Sequence, residues 1–475
     1  MSDQIKHECG IAMIRLRKPL QYYIDKYNTP FYAANRLYVL MQKQINRGQD
    51  GAGLANIKIN TPPGTRYISR YRSVESEAVT KIFQKINKKY KKAKKLGTPA
   101  DLMDAEWVKN NAAFSGEVWL GHLRYGTHGQ NSIETCHPFL KQNNWRSRNL
   151  VMAGNFNMTN VEKIFAMAGL IGNGAGFVVR DPIGIRPAYY YADDEIVVVA
   201  SEKPPIKTAF DIDYKQIKEI QPGNALIFNK DGSYGEFEII PPKEKKSCSF
   251  ERIYFSRGPD PDIYKERKNL GRALVPQILK AIDFDLKNTV FSYIPNTAET
   301  AYYGMIEGLE DYLSAKRKEI LIEGKPHLDD LGELLNFRPR VEKLVSKDVK
   351  LRTFITNDSD RDVMVSNVYD TTYEVIRSGI DTIVLIDDSI VRGTTIEKSV
   401  LTTLDKLEPK RIIIVSSAPQ IRFPDCYGID MSRMKDFIAF RAAVQLIEDN
   451  GGMDNLLERV YDKCKAYPES EENYV

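Results

Sequence analysis

The hydrophobic pattern changes its period part-way along the chain. At the start, CGIAMIRL (residues 9–16) is rich in β-formers with partial alternation and predicts a strand. TPFYAANRLYVLMQKQINR reads as a helix ending near Arg47, after which Gly48, Gly51 and Gly53 turn the chain into another strand. FSGEVWLGHLRYGTHG, NLVMAGNFN and GFVVRDPIGIRPAYYY with DEIVVVASEKP supply further strands and turns. The first two-fifths is therefore an α+β pattern. PPKEKKSC (residues 241–248) has paired prolines, a charge run and no apolar period, so it reads as a linker. Beyond it, strands alternate with helices. A helix from about Tyr264 to Ala281 leads to the strand TVFSYIP, and a longer helical stretch follows. Then come the strand DTIVLIDD, the helix TTIEKSVLTTLDKL and the strand RIIIVSSAP. That rhythm predicts a parallel, doubly wound sheet. The polar tail YPESEENYV is expected to fray.

Composition bounds this picture. With 475 residues and 42% hydrophobic content, two or three cored domains are expected. The 68 basic and 63 acidic residues leave only +5, which argues against a dedicated nucleic-acid binder. Cys9, Cys136, Cys248, Cys426 and Cys464 include no C-x-x-C pair, so neither a disulfide framework nor structural zinc is indicated. A reduced, cytoplasmic setting follows. MSDQIKHE has no apolar core of a signal peptide, and no apolar run approaches the ~18 residues of a membrane span. KINKKYKKAKKLG reads as a solvated helix face, and GNGAG as a hairpin turn. Neighbouring Cys136 and His137 point apart on a strand and do not read as a metal pair.

The most informative stretch is TIVLIDDSIVRGTTIEKSV (residues 382–400). TIVLI is a continuous apolar run, as in a parallel strand buried on both faces. Asp387 and Asp388 follow at its carboxyl end, where open α/β sheets bind ligands. The loop SIVRGTT opens a helix, so its backbone N–H groups can cradle a phosphate. Ser389, Thr394 and Thr395 add hydroxyl donors, Gly393 adds freedom and Arg392 adds charge. Two adjacent carboxylates suit a sugar diol, or Mg²⁺ held with it. There is no Walker A pattern.

IDDSIVRGTT resembles the phosphoribosyl-pyrophosphate (PRPP) motif of type I phosphoribosyltransferases, in the form carried by glutamine PRPP amidotransferases. SFERIYFSRGPDPDIYKERKNLG, KLRTFI and SSAPQIRFPDCYGIDM are similar to flanking stretches of that family. The resemblance implies that Asp387 and Asp388 bind the ribose hydroxyls with Mg²⁺, and that Ser389 to Thr395 hold the 5-phosphate. It places Thr297, in YIPNTAE, near the pyrophosphate; the family often has a hydroxyl residue where this chain has Ala298. Arg352, in KLRTFI, is a candidate charge near the leaving group.

The same family begins its mature amidase with Cys-Gly-Ile or Cys-Gly-Val. Cys9 then becomes a nucleophile whose own α-amine is its base, once residues 1–8 are removed as a propeptide. INRGQDGAGLA makes Arg47 an orienter of the site. GHLRYGTHG is similar to the segment that binds the substrate carboxylate, with Arg124 as the grip and Thr127 and His128 beside it. GNFNMTN is similar to the oxyanion turn, usually Asn-Gly-Asn, so Asn155 donates its amide and Phe156 its backbone N–H. The family's longer segment after this turn, which carries an acidic residue for the glutamine amino group, has no counterpart between Phe165 and Ala166.

The implied architecture is an α+β sandwich (N-terminal nucleophile, αββα; residues 9–240) followed by an α/β doubly wound parallel sheet (type I phosphoribosyltransferase; residues 248–445) and a polar tail (residues 446–475). The implied activity is synthesis of 5-phosphoribosylamine, pyrophosphate and glutamate from PRPP, glutamine and water, the first committed step of purine synthesis. Two alternatives stay open: an ammonia-dependent phosphoribosyltransferase with impaired glutaminase, and a non-catalytic PRPP sensor. Mg²⁺ is the expected cofactor, with no iron–sulfur cluster. Partners are small molecules, with purine nucleotides as feedback inhibitors and a homo-oligomer implied, and neither nucleic acid nor membrane.

Overall fold

The computed structural model describes residues 9–125, 132–156, 165–323, 332, 335–347, 369–394, 396–422, 434–449 and 454–466. The chain divides into two compact units, Met1–Gly271 with Tyr427–Asp430, and Arg272–Cys426 with Met431–Val475.

The first unit is built from thirteen strands among the described residues. They are β1 (Gly10–Leu16), β2 (Gly51–Ile57), β3 (Ile68–Ser73), β4 (Val118–Arg124), β5 (Phe139–Lys141), β6 (Leu150–Phe156) and β7 (Phe165–Ile171). They continue as β8 (Gly176–Arg180), β9 (Tyr189–Ala192), β10 (Ile196–Ala200), β11 (Lys218–Glu219), β12 (Asn224–Phe228) and β13 (Tyr234–Glu238). A seven-stranded sheet has the order β11-β9-β10-β1-β4-β2-β3, and a six-stranded sheet the order β13-β12-β8-β7-β6-β5. Pairing within both is antiparallel.

Strand β1 explains why its alternation is only partial. All seven residues are buried, because each face of the strand serves a different core. Ile11 and Met13 face the second sheet, among Val151, Ala153, Ala166 and Ala168. Ala12, Ile14 and Leu16 face helices through Tyr23, Leu37, Leu40, Met41 and Ile82. Each Ile, Leu or Met side chain among them contributes about 1.5–3 kcal/mol when fully buried. The lysine-rich stretch lies on the helix Ala78–Leu96, which buries Ile82, Ile86, Tyr90 and Ala93 and leaves its lysines outward. GNGAG is a hairpin turn between β7 and β8, with Gly174 at φ +101°.

The second unit carries β14 (Thr289–Tyr293), β15 (Arg340–Val341), β16 (Val345–Lys347), β17 (Tyr369–Thr371), β18 (Thr382–Asp387) and β19 (Arg411–Ser416). A parallel sheet runs β15-β14-β18-β19, and β16 pairs with β17 in a small antiparallel ribbon. Ile383 to Ile386 are fully buried. Val384 and Ile386 pack with Met305 and Leu309, whereas Ile383 and Leu385 pack with Val400 and Leu404. A strand covered on both faces has no polar side to show, hence the unbroken TIVLI run. Among the described residues no helix is long and apolar enough to cross a membrane.

Candidate functional site

Cys9 stands at the head of β1, 1% exposed. Its backbone N–H donates to Asn155 Oδ1 at 3.4 Å, and its carbonyl accepts from Arg47 Nε at 3.4 Å. Asn155 comes from β6, in the other sheet, and is fully buried. Its Nδ2 has no hydrogen-bond partner among the described residues. A buried amide N–H without an acceptor costs about 1–3 kcal/mol. A negative oxygen placed there would remove that cost, which is what an oxyanion donor requires.

Arg47 is held by a buried ionic cluster. Its Nη2 meets Glu251 Oε1 at 2.6 Å and its Nη1 meets Glu202 Oε1 at 3.4 Å. Glu251 also meets Arg186 Nη1 at 3.4 Å. Glu202 further accepts from Asn46 Nδ2 and from the Arg257 backbone, both at 2.9 Å. Burial pushes the Glu202 carboxyl above its ordinary range, and the Arg47 charge pulls it back. Arg47 is therefore oriented by carboxylates while its Nε reaches the Cys9 carbonyl.

Arg124 ends β4 and is buried. Gly10 pairs with Leu123, so Arg124 reaches the same end of the sheet as Cys9. Gly48 passes against the Arg124 backbone, where an added Cβ would lie 2.5 Å from the Arg124 carbonyl carbon. Its φ is −172°, so space rather than conformation demands glycine. Gly48→Ala is expected to displace the end of β4 and to lower glutamine-dependent turnover more than ammonium-dependent turnover, by analogy with overpacking costs of about 1–3 kcal/mol. Steady-state assays with each nitrogen donor check this.

In the second unit, Asp387 ends β18 and Asp388 follows it. The Asp388 N–H donates to Asp387 Oδ1 at 2.9 Å, and the Ser389 N–H to Asp388 Oδ1 at 2.8 Å. Burial and the neighbouring Asp388 charge push Asp387 up to about 8. The loop continues through Arg392, exposed, and Gly393 at φ +74° to Thr394, also exposed. Pairing of β14 with β18, extended by the Ile294 N–H to Ile386 carbonyl bond at 2.9 Å, sets the Pro295–Ala298 loop beside Asp387. Thr297 in that loop is half-buried, and Ala298 is in the core.

No family model matches the chain. Amidophosphoribosyltransferases are similar along most of it. That of Methanocaldococcus jannaschii is 25% identical over 491 aligned positions, covering 89% of this chain and 88% of the relative. That of Bacillus subtilis is 28% identical over 396 positions, covering 72% and 74%. The solved glutamine PRPP amidotransferase of B. subtilis, complexed with ADP and GMP, superposes with a TM-score of 0.60 at 22% identity, covering 94% of this chain and 90% of that one. A solved allosteric regulatory enzyme of purine biosynthesis gives 0.58 at 22%, covering 91% and 85%. In sequence the chain is similar to the amidophosphoribosyltransferases, and it shares the fold of these solved structures.

Of the candidate residues, Cys9, Arg47, Arg124 and Asn155 fall together in one unit, and Asp387, Asp388, Ser389, Arg392, Gly393, Thr394 and Thr297 fall in the other. Residues 1–8, Thr127, His128, Arg352 and Thr395 lie outside the described residues, as does the side chain of Phe156. Residue 156 itself closes strand β6, in extended backbone that a bulky residue adopts without strain. Glu202 and Glu251 carry no sequence signal of their role, since they meet Arg47 across 155 and 204 residues. Their neighbouring strings, ASEKP and SFERIYF, were the available hint.

Proposed function

We infer that this chain is an amidophosphoribosyltransferase, forming 5-phosphoribosylamine, pyrophosphate and glutamate from PRPP, glutamine and water. The observation that carries the reading is the Cys9–Asn155 pair, a thiol-bearing residue beside a buried amide donor with no acceptor among the described residues. In this reading, loss of residues 1–8 frees the Cys9 amine, which takes the thiol proton. The thiolate attacks the glutamine amide carbon while Arg124 grips the substrate carboxylate with its fork. Asn155 Nδ2 and the N–H of residue 156 stabilise the oxyanion. Collapse expels ammonia and leaves a thioester, which water cleaves to glutamate. The ammonia then attacks the anomeric carbon of PRPP as pyrophosphate leaves.

Asp387 and Asp388 would take the ribose hydroxyls, with Ser389, Arg392, Gly393, Thr394 and Thr395 around the 5-phosphate and Thr297 and Arg352 toward the pyrophosphate. The two carboxylates fit Mg²⁺: they are hard oxygen donors whose mutual repulsion a dication relieves. Bound there, the ion supplies charge neutralisation at the leaving group. Among the described residues no group of three or more His, Cys, Asp or Glu side chains could hold a metal, so substrate oxygens and water would complete its shell. Purine nucleotides as feedback ligands are supported by the relative bound to ADP and GMP.

The test is pyrophosphate release with glutamine and, separately, with ammonium, alongside the N-terminal mass. Turnover with ammonium alone would favour the ammonia-dependent alternative, and turnover with neither donor would favour the PRPP sensor. Asp388→Asn is expected to lower pyrophosphate release with both donors by ~10²-fold or more, as loss of a preorganised charge does. A selective loss with glutamine alone would contradict its placement.

A further inference from the structure

Gly154 precedes Asn155 on β6 and is held in an unusual way. The β5–β6 ladder pairs Leu140 with Val151 and Phe139 with Met152. Continued by two residues, it would oppose Gly154 with His137. The His137 side chain takes that place: the Gly154 N–H donates to His137 Nδ1 at 3.3 Å. The Gly154 carbonyl lies 3.2 Å from His122 Nε2, which reaches over from β4 in the other sheet. The two imidazoles meet at 3.1 Å, Nδ1 of His137 to Nε2 of His122. Both are buried, His122 at 1% and His137 at 7% exposure. Each backbone polar group of Gly154 thus ends on an imidazole.

One proton arrangement satisfies all three contacts. Gly154 N–H is a donor, so His137 Nδ1 must present its lone pair. The Gly154 carbonyl and His137 Nδ1 are both acceptors, so His122 Nε2 carries the proton between them. His137 is then the neutral tautomer with its proton on Nε2. The surroundings hold this segment in place. Arg72 donates to the Cys136 carbonyl at 2.8 Å and Arg70 to the Pro138 carbonyl at 3.3 Å. Gly53, the cross-strand partner of His122, leaves room for the His137 carbonyl, which a Cβ there would approach to 2.1 Å.

We propose that His122 and His137 are positioning residues of the amidase, a tautomer-matched pair that fixes the Gly154 backbone and thereby the aim of the two oxyanion donors that follow it. The pair touches no substrate atom. The proposal rests on the reading of Cys9 as nucleophile.

Two variants at one position test it. His137→Leu removes the acceptor, whereas His137→Asn places Oδ1 where Nδ1 was. With glutamine, His137→Leu is expected to lower kcat by ~10²-fold, the scale of losing an oxyanion donor, with KM nearly unchanged because Arg124 still grips the carboxylate. Pyrophosphate release with ammonium should match the parent protein, and His137→Asn should recover most of the glutamine rate. Equal losses with both nitrogen donors, or no recovery in His137→Asn, would overturn the proposal. Independently, ¹⁵N-histidine spectra of the protein should show one signal that vanishes in His137→Asn and has an unprotonated Nδ1. A protonated Nδ1 overturns the proposal whatever the activity. A parent protein that releases no glutamate would instead defeat the amidase reading, leaving the tautomer result to judge the geometry.

Discussion

Cys9→Ser is expected to abolish glutamine-driven synthesis and to spare ammonium-driven synthesis. The side chains are close in size, and Cys9 sits in a buried strand end, so the substitution leaves the packing of β1 nearly intact. The chemistry changes far more. A hydroxyl holds its proton several pKa units more tightly than a thiol, so the same α-amine yields far less of the anionic nucleophile, in a site arranged around the larger sulfur. Loss of a nucleophile that acts together with its oxyanion donor costs on the order of 10³-fold or more in kcat. Pyrophosphate release under each nitrogen donor reads this directly. Residual glutamine turnover near that of the parent, or an equal loss with ammonium, would defeat the assignment of Cys9.

Arg47→Met carries the second large effect, on stability. It removes one charge from a cluster in which Glu202 and Glu251 are also buried. Breaking one partner from a buried ion cluster typically costs about 3–5 kcal/mol, more than burying a methionine returns. The loss has a pH signature. Burial already raises Glu202 above its unfolded value, and Arg47 is the main influence lowering it. Between the two values the fold binds a proton that the unfolded chain releases, so stability falls as pH rises through that window. Without Arg47 the folded value rises further and the window widens upward. Chemical denaturation should therefore show a larger deficit, relative to the parent protein, at pH 8 than at pH 5. A deficit independent of pH would mean that packing, not charge, is what Arg47 supplies.

Periodicity made strands β1 and β18 legible. CGIAMIRL and TIVLI are local patterns, and local patterns reflect which faces are covered. The sequence also singled out Cys9, Asn155 and the Asp387–Asp388 pair, each in a short string at a strand end, and Arg47 in the turn before β2. Partners met across the fold were not. His122 and His137 lie 15 residues apart on different segments; His122 sits inside GHLRYGTHG, but nothing in that string or in ETCHPF marks the two as a pair. Glu251 sits beyond the stretch that reads as a linker, yet its carboxylate meets Arg47 in the first unit. Gly48 and Gly53 read simply as turn glycines, while the structure uses them for backbone approaches that no spacing rule encodes.

Glu251 also bears on how such a protein can be divided. The linker composition of residues 241–248 marks a natural place to split two modules, but the first unit runs on to Gly271. A fragment ending before Glu251 would leave the Arg47 guanidinium with one fewer counter-charge in its buried pocket. The segment beyond the linker closes the first unit rather than opening the second. A split within residues 241–248 should therefore destabilise the first unit, whereas a junction at Gly271 would cut the helix Pro261–Ala281.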